Sequence, residues 1–91
     1  MPEEVLFATE TVETRTDIAA YLRQVAASLD DGREISLAAG EQSITMSPPE
    51  RLTFEIKAER EGPADGAGEL SLEFELEWDE DSNSSDELVI E

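Results

Sequence analysis

Polar and apolar residues alternate without interruption through Glu69-Leu70-Ser71-Leu72-Glu73-Phe74-Glu75-Leu76-Glu77-Trp78. A strand turns successive side chains to opposite faces, so Leu70, Leu72, Phe74, Leu76 and Trp78 share one face and the four glutamates share the other. The run predicts a half-buried β-strand that ends on the chain's single Trp.

The same period recurs, more weakly, in Glu4-Val5-Leu6-Phe7-Ala8-Thr9-Glu10, which predicts a first strand. Helical spacing follows. Thr14-Arg15-Thr16-Asp17 fits a capping box, in which the Thr14 hydroxyl accepts from the backbone N–H of Asp17, and a helix is expected to begin at Arg15. Ile18, Leu22, Val25, Ala26 and Leu29 form its apolar stripe, with Tyr21 at the edge. Gly32 suits the left-handed residue that ends such a helix, although Asp30 and Asp31 oppose the negative pole there.

Two further alternating runs, Glu34–Ala38 and Gln42–Ser47, flank Ala39-Gly40-Glu41 and predict a β-hairpin. Pro48 and Pro49 offer no backbone donors and end that strand pair. Leu52, Phe54, Ile56 and Ala58 then alternate with Thr53, Glu55, Lys57 and Glu59 in a fourth strand. Residues 62–68, rich in Gly, predict a flexible loop into the strand over 69–78. If Ile56 and Phe74 share a face, the last two strands pair with an even residue sum, which sets Lys57 opposite either Glu73 or Glu75.

The order β-α-β-β-β-β predicts an α+β fold, a mostly antiparallel five-stranded sheet with one helix packed on one face. Strands two to five are expected to form a meander, with the first strand beside the fifth. The domain is expected over residues 1–78. Residues 79–91, acidic and rich in Ser, predict a disordered tail.

Composition changes this picture in one respect. Aspartate and glutamate number 24 against six basic residues, His is absent, and the formal net charge is −18. Glutamates spaced about 7 Å apart on one strand face repel by roughly 0.6 kcal/mol per pair in water. A dozen such pairs approach the ~5–15 kcal/mol that holds a domain together. Near 1 M salt the Debye length is about 3 Å and most of the repulsion vanishes. The chain therefore reads as a halophilic, acidic protein whose fold needs salt.

Candidate chemistry is sparse. Glu73, Glu75 and Glu77 are spaced like paired glycosidase carboxylates, but an open sheet face offers no desolvation to raise the pKa of one of them. Asp79, Asp81, Asn83 and Glu87 match part of a calcium loop. Ser84 stands where that loop needs Gly and Ile90 where it needs Glu. The cations Arg15, Arg23, Arg33, Arg51, Lys57 and Arg60 are scattered, without a phosphate cradle or a basic stripe, which disfavours nucleic acid. With no Cys and no His there is no ordinary base-activated nucleophile. No enzyme activity, cofactor or metal is expected. Without a signal sequence or an 18-residue apolar run, the expected location is cytoplasmic, with no membrane contact.

Phe7, the Thr14-Arg15 helix start, Ile18-Ala19 with Tyr21-Leu22, Gly32, Gly40, Pro49, Glu59 and the amphipathic run closing on Trp78 together resemble the amphi-Trp domain family. The resemblance covers about residues 4 to 78. It implies a small α+β domain of haloarchaeal type and brings no catalytic or ligand residues with it.

Two functions fit these residues. The first is a non-enzymatic protein-interaction module, with an unknown protein or a second copy as partner and with Trp78, Leu88, Val89 and Ile90 as candidate contacts. The alternative is a small-ligand-binding protein with a pocket between helix and sheet.

Overall fold

The computed structural model describes residues 3–80. The elements are α1 (Arg15–Asp30), β1 (Ile35–Ala39), β2 (Gln42–Met46), β3 (Thr53–Glu61) and β4 (Glu69–Glu77). The chain forms two compact units that join in sequence at Pro48 and Pro49. Its strands make two two-stranded antiparallel sheets, β1 with β2 and β3 with β4, instead of one five-stranded sheet.

In the first unit, local chemistry fixes both ends of α1. The Thr14 hydroxyl accepts from the Asp17 N–H at 3.1 Å, as the capping pattern predicts. At the other end Gly32 takes φ 66°. Its N–H donates to the Leu29 carbonyl at 3.2 Å, and the Arg33 N–H reaches the Ser28 carbonyl at 2.9 Å. These two bonds are a Schellman closure, which satisfies carbonyls that the last turn leaves free. Arg33 also pairs with Asp31 at 2.9 Å and offsets part of the acidic charge at the negative pole.

The predicted first strand over residues 4–10 does not form. No backbone ladder partners it. Instead the Gln42 side-chain amide donates to the Ala8 carbonyl at 2.9 Å and accepts from the Ala8 N–H at 3.2 Å. A single side-chain amide satisfies the N–H and C=O of one residue, and the alternation of Val5, Phe7 and Thr9 alone is too weak to nucleate a strand.

The β1–β2 hairpin closes through Gly40 and Glu41, with Ala39 paired to Gln42. Gly40 has φ 59° at the first turn position, where a two-residue hairpin loop calls for positive φ. Ile35 faces Met46 and Leu37 faces Ile44 on one side; Ser36 and Thr45 face each other on the other, their hydroxyls 3.1 Å apart. α1 touches β1. Reduced exposure falls on Ala19, Val25 and Ser28 of the helix and on Ile35, Ala39 and Ile44 of the hairpin. The predicted stripe is thus only partly used: Ile18 and Leu22 stay exposed, whereas Ser28, outside that stripe, is half-buried.

The second unit contains β3 and β4 in nine-residue register from Thr53↔Glu77 to Glu61↔Glu69. Ile56 pairs with Phe74, so the sum of paired numbers is even, and Lys57 lies opposite Glu73. The loop expected to be flexible makes two hydrogen bonds to β3. Arg60 donates to the Pro63 carbonyl at 2.9 Å and to the Gly66 carbonyl at 2.6 Å. The strands close so tightly at its base that a Cβ on Gly68 would collide with the Glu61 carbonyl oxygen.

Candidate functional site

The cross-strand register of β3 and β4 divides the hairpin into two faces of opposite character. On one side the pairs are Phe54/Leu76, Ile56/Phe74, Ala58/Leu72 and Arg60/Leu70. On the other they are Thr53/Glu77, Glu55/Glu75, Lys57/Glu73, Glu59/Ser71 and Glu61/Glu69. The second face thus holds seven glutamates and one lysine, a net charge of −6 (7 carboxylates less 1 ammonium). The apolar face carries a single charge, Arg60, whose guanidinium is committed to the loop carbonyls.

Lys57 is the counterion of the acidic face. Its ammonium lies 3.4 Å from Glu59 and 3.7 Å from Glu73. The Glu59 carboxylate, by charge and by hydrogen bond, raises the Lys57 pKa above its ordinary value, and Glu73 and Glu55 add to the effect. Glu55 and Glu75 sit directly opposite each other with no cation between them, an unfavourable pairing that salt relieves. A shallow depression of about 210 Å³ is lined by Glu55, Lys57, Glu73, Phe74 and Glu75. Its rim is charged and open, with none of the apolar enclosure that organises a small-ligand site.

The apolar face is the more unusual feature. Phe54, Ile56, Leu70, Leu72 and Phe74 are 50–79% exposed. Phe54 and Phe74, diagonal neighbours across the ladder, stack with ring centroids 6.1 Å apart and planes within 5°. Hydrophobic residues scattered singly on a surface mean little, whereas five in register on one face form a continuous patch. Parity alone places these five together, on the face that the helix is expected to cover. Their exposure has no sequence signal, because alternation states which face is apolar and not what covers it.

Of the candidate contacts, Trp78 lies one residue beyond β4 and is half-buried. Leu88, Val89 and Ile90 lie outside the described residues, as does most of the partial calcium loop from Asp81 onward. Among the described residues no group of three or more Asp or Glu is placed to hold a metal ion. No described helix is long and apolar enough to cross a membrane.

The Amphi-Trp domain model matches residues 1–91, and the chain belongs to that family. No curated protein and no solved structure matches it.

Proposed function

We propose that this Amphi-Trp domain is a non-enzymatic protein-interaction module that works in molar salt. The observation that carries the reading is the segregation of β3–β4, taken by itself, into an apolar face and an acidic one. An apolar row of that size costs free energy in water, at roughly 25 cal/mol per Å² left exposed, and is retained where a partner removes it from water. The acidic face has the opposite task. It keeps the chain soluble and turns away anionic surfaces such as nucleic acid. The absence of His and Cys from the sequence supports a role without nucleophilic chemistry.

Affinity capture with the tagged full chain from native lysate at molar KCl tests the proposal, counting untagged copies of the chain as captured protein. The expected result is a retained protein that is lost when Leu72→Glu places a carboxylate on the apolar face. Nothing retained, or retention indifferent to that substitution, contradicts it.

A further inference from the structure

We draw no further inference here: the strongest candidate, the carboxylate cluster around Lys57 on the acidic face of β3–β4, has no second feature among the described residues that points to a ligand.

Discussion

In β1–β2 the apolar row is partly shielded. Ile35 and Ile44 are half-buried, and Leu37 and Met46 are only 38% and 37% exposed, in a unit where α1 touches β1. In β3–β4 five residues of a longer row with the same period are 50–79% exposed, with Leu76 half-buried at one end. Alternation is as regular in the second hairpin as in the first, and its ladder is nearly twice as long. The difference lies in what the sequence supplies next to each hairpin. A capped 16-residue helix leads directly into β1, while β3 and β4 are joined to each other by a short clamped loop with no further element in their unit among the described residues. Period specifies a face; neighbouring elements decide whether it is covered.

The largest effect expected from this contrast is on salt. Removing KCl lengthens the Debye length from about 3 Å to 10 Å or more and restores repulsion across the seven glutamates of the β3–β4 acidic face. Circular dichroism across a KCl series is expected to show strand signal lost at low salt and regained near 1 M. A spectrum that does not change removes the acidic face from the account.

Truncation of the two apolar rows separates them next. Phe74→Ala deletes one ring of the stacked pair and is expected to cost about 3 kcal/mol. Ile44→Ala in the first hairpin is expected to cost less, about 1–2 kcal/mol given its partial burial. Equal losses in thermal melts would erase the distinction between the hairpins.

The turns provide a third contrast. At Gly68 an added Cβ meets backbone, so Gly68→Ala is expected to destabilise β3–β4 by roughly 2 kcal/mol. At Gly40 there is open space and only the positive φ is strained, so Gly40→Ala is expected to cost about 1 kcal/mol. Thermal melts order the two variants, and the reverse order would contradict the tight closure at Glu61.

The smallest effect belongs to Lys57. Because its folded pKa is raised, the stabilisation it gives is complete below its ordinary pKa and is lost as pH rises through the raised value. The side chain is exposed, so the loss is small and weakens further as KCl is added. Melting curves at alkaline pH, with Lys57→Met as a control that lacks the step, check its direction.

Much of the local structure was legible because it depends on near neighbours. Thr14 and Asp17 mark the helix start, Gly32 marks its end, and parity places Phe54, Ile56, Leu72 and Phe74 on one face. Parity leaves Glu73 and Glu75 open as the partner of Lys57, and the register pairs it with Glu73. What was not legible depends on distant or single contacts. The Gln42 amide that engages Ala8 spans 34 residues and has no periodic signal. The first strand was expected from three residues of shared parity, and the five-stranded sheet from the habit of sequential strands to pair. Neither is a property of the residues concerned, since a strand exists only where a ladder partner is available. The candidate site shows the same division, with its membership readable from period and its exposure not.

On the proposed function, β3–β4 offers its apolar face to a partner, whereas β1–β2 does not. Amide hydrogen exchange on the full chain in molar KCl, followed strand by strand with and without the protein captured from lysate, separates the two hairpins. Protection of the β3–β4 ladder is predicted to rise when that protein is bound while that of β1–β2 stays constant. Protection unchanged in both hairpins contradicts the interaction-module reading.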